Sequence, residues 1–330
     1  MTYAAAAKAL RSATTVVVTT HLNPDGDGLG TGLALVRCLT ALGKRVRFCC
    51  PGKPASIYGF LPGFARITAV MDEAQARKLP APDAIVSCDA GDLARLGPVS
   101  ALVAKTRTKG GVLVNLDHHS TNDRFGDVNL VDVDAASSGV VAWNLLKKLG
   151  VKLDKPTAAC LYVTVVFDTG RFMHSNTTAA CLRFAATLVD TGIDAAALNR
   201  ALTYTRTPHD LKVMQLGLEH LTVDAEAPAL AGIALPAAAI AAVGEPEDWG
   251  DLVEFPRSLT GNQIAYLMRE RPDCSAVRIS LRSNPPYAVA PVAEAFGGGG
   301  HQQAAGCTFP GNLEAAIKDV LPRLRRALAP

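Results

Sequence analysis

The sequence has no CxxC pair. Its eight cysteines are scattered except for the neighbours Cys49 and Cys50, and Cys38, Cys160 and Cys181 sit among apolar residues. That excludes a disulfide framework and a thiolate zinc site, and suggests a reducing compartment. An excess of charge of one sign is also lacking. Thirty-three Lys and Arg stand against 30 Asp and Glu, a formal net charge of +3. There is no broad basic field of the kind that holds long nucleic acid non-specifically, so no stable long nucleic-acid partner is expected. No apolar run is long enough to span a bilayer. The longest, "ALAGIALPAAAIAAVG", is Ala-rich and broken by Pro236, which argues against a membrane partner. The N-terminal Ala run is interrupted by Lys8 and Arg11 and reads as a helix, not a signal peptide. Internal repeats and low-complexity segments are absent too. The expected compartment is the cytoplasm.

What is present is enough apolar residue, 49% of 330, for two cored domains. From Val16 to about residue 150, β-branched runs alternate with helical patterns. "TTVVVTT", "KRVRFCC", "DAIVSCD" and "GVLVNLD" show little polar alternation, as strands buried on both faces should. "LGTGLALVRCLTALG" has helical spacing with Gly43 as its C-terminal stop, and "SSGVVAWNLLKKLG" reads as a helix capped by Ser137 or Ser138. "TAACLYVTVVFDTG" is β-branched, yet Leu161, Tyr162, Val165 and Val166 fall at helical spacing, and a helix is expected there. The pattern predicts an α/β fold with a mainly parallel sheet flanked by helices over residues 1–190. A helical linker follows over 191–222, broken at Pro208. A smaller α+β domain over 223–330 has strands at "AGIALP", "SAVRISLRS" and "AAGCTFP" and helices at about 258–270 and 312–328.

Polar residues cluster just past three apolar strands: His21, Asp25 and Asp27 in "HLNPDGDG", Asp89, and Asp117-His118-His119. Asp168 closes the helix ending "FDTG". Ligand sites of open parallel sheets lie beyond the carboxyl ends of strands. Taken singly, "NPDGDG" is a turn, a strand-end Asp is an Asx-turn or cap, and paired histidines are a surface accident. Their repetition at successive strand ends points instead to a metal-dependent hydrolase. Imidazole and carboxylate without thiolate suit Mn²⁺, Mg²⁺ or another divalent ion. Two such ions can clamp an in-line attack at phosphorus.

"HLNPDGDGLG", Asp89, "LDHHS" and "FDTGRF" resemble the four ordered motifs of the DHH phosphoesterase superfamily, and "AEAFGGGGHQQAAG" resembles the signature of its DHHA1 partner domain. The likeness runs from about residue 14 to 325 and is nearest to the stand-alone NrnA-like branch, bifunctional oligoribonucleases and 3′-phosphoadenosine 5′-phosphate phosphatases. The resemblance implies an active site in the interdomain cleft holding two Mn²⁺, with Mg²⁺ or Co²⁺ as substitutes. His21, Asp25 and Asp89 would take one ion; Asp27, Asp89, His118 and Asp168 the other. Asp117 would orient a ligand or the backbone, and His119 would face the scissile phosphate. Gly28 stands where larger residues are common and Thr31 where Ser or Ala is; neither is a ligand position.

In the second domain, Val277, Ile279 and Leu281 alternate with Arg278, Ser280 and Arg282, the pattern of a half-buried strand. By resemblance, Arg282 and Ser283 grip a terminal phosphate. Gly298, Gly299 and Gly300 with His301 offer a backbone cradle for one, and Phe172, His174 and Asn176 line a base pocket. The implied activity is degradation of short oligoribonucleotides and dephosphorylation of the bisphosphate to AMP by two-metal-activated hydroxide, in a monomer or homodimer. The alternatives are a phosphodiesterase for linear or cyclic dinucleotides (pApA, c-di-AMP) and a non-catalytic nucleotide sensor. A sensor should have lost a metal ligand, and none is lost here. A family II pyrophosphatase should lack "GGGGH", and a RecJ-like exonuclease should be longer.

Overall fold

A computed structural model describes residues 3–204, 206–246, 249 and 252–328. The chain divides into two compact units, Met1–Thr205 and Arg206–Pro330. The stretch expected to connect domains, 191–222, holds α8, which falls in the first unit, and α9, which falls in the second.

In the first unit the order is α1 (Tyr3–Ser12), β1 (Thr15–Thr19), α2 (Gly26–Ala41), β2 (Arg45–Pro51), β3 (Thr68–Val70), α3 (Glu73–Lys78), β4 (Ala84–Cys88), α4 (Ser100–Thr108), β5 (Val112–Asp117) and β6 (Val128–Val131). Four helices follow: α5 (Ser138–Lys148), α6 (Lys155–Asp168), α7 (Ala179–Val189) and α8 (Ala195–Thr203). The six strands pair in parallel in the order β3-β2-β1-β4-β5-β6. Every residue of β4 is buried, as its uninterrupted apolar run requires. One face packs on α1, α2, α5 and α6 through Leu10, Leu29, Leu35, Leu145 and Leu161. The other packs on α3 and α4 through Ala76, Leu102 and Val103. Chain order reverses between β1 and β4, the switch point at which such sheets bind ligands.

The ambiguous segment is a helix, α6, with Asp154 capping Thr157 N. It lies against α2 closely enough that a Cβ on Gly30 would meet Cys160 O at 2.6 Å. Gly43 follows α2 with φ +79, the left-handed stop its position predicts. At α5, Ser137 takes the cap position but its hydroxyl caps nothing; it meets Thr164 Oγ1 instead, at 3.0 Å.

The second unit runs α9 (Pro208–Glu219), β7 (Leu221–Val223), β8 (Leu230–Leu235), α10 (Ala237–Val243), α11 (Glu254–Arg257), β9 (Ile264–Glu270), β10 (Ala276–Ser283), α12 (Ala290–Glu294), β11 (Gly299–His301), β12 (Ala304–Pro310) and α13 (Leu313–Ala327). Its mixed sheet has the order β11-β12-β10-β9-β8-β7. The helix expected at 258–270 is in fact strand β9, paired to β8 and β10. "IAYLMRE" lacks alternation because all but Arg269 are buried, and a short fully buried run does not reveal its type by periodicity. The α13 helix matches the expectation at 312–328. None of the eight cysteines forms a disulfide. Among the described residues, no helix is long and apolar enough to cross a membrane.

Candidate metal centre

The carboxyl ends of β1, β4 and β5 lie side by side, and their following residues converge. After β1 the chain turns through "NPDG" into α2. Asp25 caps that helix, its Oδ1 accepting from Asp27 N at 2.9 Å and Gly28 N at 3.2 Å. The cap fixes Asp25 and projects Asp27 from the first turn. Asp89, just past β4, is 3% exposed and holds φ +60, a backbone state unfavourable for a residue with a side chain and typical of functional sites.

Three overlapping groups of donor atoms result, each within 4.8 Å: His21, Asp25 and Asp89; Asp27, His118 and Asp168; and Asp89, His118 and His119. His21 Nε2 is 3.4 Å from Asp89 Oδ2 and 3.8 Å from Asp25 Oδ2. His118 Nε2 is 3.0 Å from Asp168 Oδ2, 3.7 Å from Asp27 Oδ2 and 3.8 Å from Asp89 Oδ1. Asp89 therefore lies between the first two groups, one oxygen toward each. On both imidazoles Nδ1 faces a backbone carbonyl, Leu22 O at 2.8 Å for His21 and Ala135 O at 3.2 Å for His118. Those carbonyls accept from Nδ1–H and leave Nε2 facing the carboxylates, the orientation a histidine needs to offer Nε2 to a metal once that nitrogen gives up its proton.

Asp117 and His119 are held differently. Asp117 is fully buried; Oδ1 accepts from His118 N at 2.8 Å and meets His119 Nδ1 at 2.7 Å, and Oδ2 accepts from Asn122 at 2.6 Å. Its oxygens are committed to shaping the two-histidine loop.

Electrostatics show what the cluster lacks. Burial opposes the charged form of His21, but hydrogen bonds and charge from Asp25 and Asp89 outweigh it and raise the imidazole to about 10. His118, likewise opposed by burial, is raised to about 9, chiefly by Asp168. Burial, then the charges of Asp89, Asp168 and Asp25, push Asp27 well above the carboxylate range. Burial also works against ionised Asp89, yet His21, His119 and His118 hold it low. The site draws protons because its buried carboxylates are short of positive charge. An all-oxygen-and-imidazole donor set with that deficit fits divalent cations.

Sequence reasoning missed the supports. Asp27, fully buried, accepts from Ser138 N at 2.6 Å, Gly139 N at 3.2 Å and Thr31 Oγ1 at 3.1 Å, so the N-terminus of α5 points at it. Ser138 Oγ donates to Asp89 Oδ1 at 3.0 Å. The signal was "SSG", whose serines read only as caps. Gly28 also proves closer to the ligands than its spacing implied. A Cβ there would strike Thr20 Oγ1 and lie 3.3 Å from His21 Nε2 and 3.4 Å from Asp89 Oδ2.

His174 Nδ1 meets Asp168 O at 3.1 Å and Asn176 donates to the same carbonyl at 3.2 Å, so both tie down the helix end that carries Asp168. Phe172 holds φ +66 in the turn that follows and packs against the apolar core. Ser283 is buried with its hydroxyl donating to Tyr287 O at 2.7 Å, while Arg282 is 32% exposed. Gly299 and Gly300 with His301 form the edge strand β11. Gly298 and Gly300 are needed because a Cβ on either would run into the backbone of β12.

Two family models match the chain: the DHH family N-terminal domain over residues 15–204 and the DHHA1 domain over 236–328. The bifunctional oligoribonuclease and PAP phosphatase NrnA of Thermus thermophilus is 31% identical over 314 residues, 95% of this chain and 90% of that protein. The Bacillus subtilis protein of the same name is 25% identical, covering 89% of each. Among solved structures, an exopolyphosphatase-related protein from Bacteroides fragilis superposes with a TM-score of 0.88 at 24% identity over 98% of this chain and 95% of that one, which shows the shared fold. The chain belongs to the DHH family, with a DHHA1 domain following the DHH domain.

Proposed function

We propose that this chain is a Mn²⁺-dependent phosphoesterase that degrades short oligoribonucleotides to mononucleotides and converts 3′-phosphoadenosine 5′-phosphate to AMP. The observation that carries the reading is the convergence of His21, Asp25, Asp27, Asp89, His118 and Asp168 at one sheet edge, with Asp89 between two donor groups. The substrates follow the names of the Thermus and Bacillus relatives.

In this reading His21, Asp25 and Asp89 hold one ion, and Asp27, Asp89, His118 and Asp168 the other. Such ions would supply Lewis acidity toward phosphate oxygens and an activated water. Asp117 fixes Nδ1 of His119, which presents Nε2 to a phosphate oxygen and shares its charge in the transition state. Arg282 holds a terminal phosphate through its planar fork, and Ser283 anchors the strand end that carries it. The glycines at 298–300 and His301 border the same role.

The test is a Mn²⁺-supplemented assay of one pure preparation on a dinucleotide, 3′-phosphoadenosine 5′-phosphate, pyrophosphate and a long single strand. The first two should turn over and the long strand should lag far behind. Turnover of pyrophosphate alone, or equal rates on dinucleotide and long strand, would overturn the reading.

A further inference from the structure

A second set of charged side chains gathers in the Arg206–Pro330 unit, where α11 meets the end of β10. Arg282 Nε lies 3.4 Å from Glu254 Oε1, and Arg257 Nη1 lies 3.1 Å from Glu254 Oε2. One carboxylate thus bridges two guanidiniums, an oxygen to each. Arg257 Nε also donates to Asn284 Oδ1 at 3.3 Å, and Asn284 Nδ2 to the backbone oxygen of Asn262 at 3.1 Å. The site is only partly solvated: the side chains of Arg257, Arg282 and Glu254 are 22%, 32% and 40% exposed.

Two cations against one anion leave positive charge in a half-buried place. That surplus is costly unless an anion completes it. Each guanidinium already turns one nitrogen to an oxygen of Glu254, while Arg282 Nη1 donates to Leu281 O at 3.0 Å, so the geometry suits another oxyanion of similar reach.

We propose that Arg257 joins Arg282 in a two-guanidinium seat for a terminal phosphate monoester, and that Glu254 is an internal anion which holds the seat until that phosphate displaces it. Naming the phosphate as the substrate's rests on the phosphoesterase reading above. A monoester carries between one and two charges at neutral pH, so it neutralises the pair better than a carboxylate does. A terminal hydroxyl brings none. The seat therefore selects short nucleotides ending in a phosphate over those ending in a hydroxyl. Glu254, on a four-residue helix and 40% exposed, can turn into solvent when displaced.

The experiment uses the full chain treated with EDTA, so that binding is read without turnover. Calorimetry compares the dinucleotide pApA with ApA. Wild type should bind pApA about tenfold more tightly than ApA, a difference of about 1.4 kcal/mol. Arg257→Ala should erase that preference and leave ApA unchanged, and Arg257→Lys should restore only part of it because an ammonium lacks the fork. Glu254→Gln should tighten pApA severalfold. Wild-type preference in both Arg257→Ala and Arg257→Lys would overturn the seat. Weakening of pApA by Glu254→Gln would make that residue a brace, not a competitor. The phosphoesterase reading fails by a different sign, absence of pApA hydrolysis by Mn²⁺-loaded wild type, which leaves these binding differences intact.

Discussion

Asp83 precedes β4 and Asp89 follows it, one carboxylate at each end of a single strand. Asp83 sits exposed at the amino end of the sheet. Its Oδ2 accepts from Thr14 N and Thr15 N, both at 2.8 Å, and from Thr15 Oγ1 at 2.9 Å. Those donors hold its carboxyl below the ordinary value and fasten the start of β1 to the start of β4. Asp89 sits buried at the carboxyl end, in a left-handed backbone state, among three imidazoles and the carboxylates of Asp25, Asp27 and Asp168. The residue type is the same and the sheet is the same. Strand direction makes the difference: at the carboxyl ends, loops from three neighbouring strands and the N-termini of α2 and α5 point inward, so negative charge accumulates there and can be tolerated.

The largest effect should come from Asp89→Ala. It removes the carboxylate that lies between the two donor groups, so bound metal should be lost and turnover should fall by more than about a thousandfold. Elemental analysis alongside an activity assay checks this. Wild-type metal content in that variant would end the contrast between the two ends of β4.

Asp117→Asn sharpens it. Asp117 also ends a strand, yet its oxygens serve His118 N, His119 and Asn122. Turnover should drop about 10- to 100-fold as His119 loses its orientation, with metal content unchanged. Metal loss in step with turnover would make Asp117 a ligand.

The sequence exposes the two kinds of end unequally. The carboxyl-end residues were legible because strand tips repeat: His21, Asp89 and His118 each follow an apolar run, and no surface accident repeats that way. The parallel sheet was legible for the same reason, since β1, β4 and β5 are continuous apolar segments. Ser138 and Gly139 were not, because a backbone N–H carries no sequence signature and "SSG" is an ordinary helix start. Strand β9 was misjudged because both faces of it are covered. His174 and Asn176, expected beside a base, both bond Asp168 O, and Asn176 donates to Ala136 O as well, contacts that only the turn geometry after α6 reveals. Gly28 passed as neutral because spacing records which residues are ligands and says nothing of the space between them.

Gly28→Ala tests that space. The added methyl would push on Thr20 Oγ1, His21 and Asp89, and metal affinity should fall about tenfold, the scale of a modest packing strain of 1–3 kcal/mol. Thr20→Ala in the same chain should recover most of it, because the hydroxyl in the way is gone. Metal titrations of the two single variants and the double variant measure the coupling. Additive losses would show that Gly28 acts through something other than Thr20.

At the amino end, Asp83→Ala should leave turnover per folded molecule alone and cost stability, about 1–3 kcal/mol for three donors left with weaker partners, at the low end because the site is exposed. The pH dependence follows from the direction of the shift. A carboxyl held below 3.8 when folded stabilises the native state above its unfolded value, and that contribution disappears as pH falls through the lower folded value. The gap in urea midpoint between wild type and Asp83→Ala should therefore be full at pH 7 and shrink below pH 4. A gap that persists unchanged into acid would mean that the side chain fastens the strands by shape, as a neutral acid could. The two ends of β4 would then differ only in place and not in their use of charge.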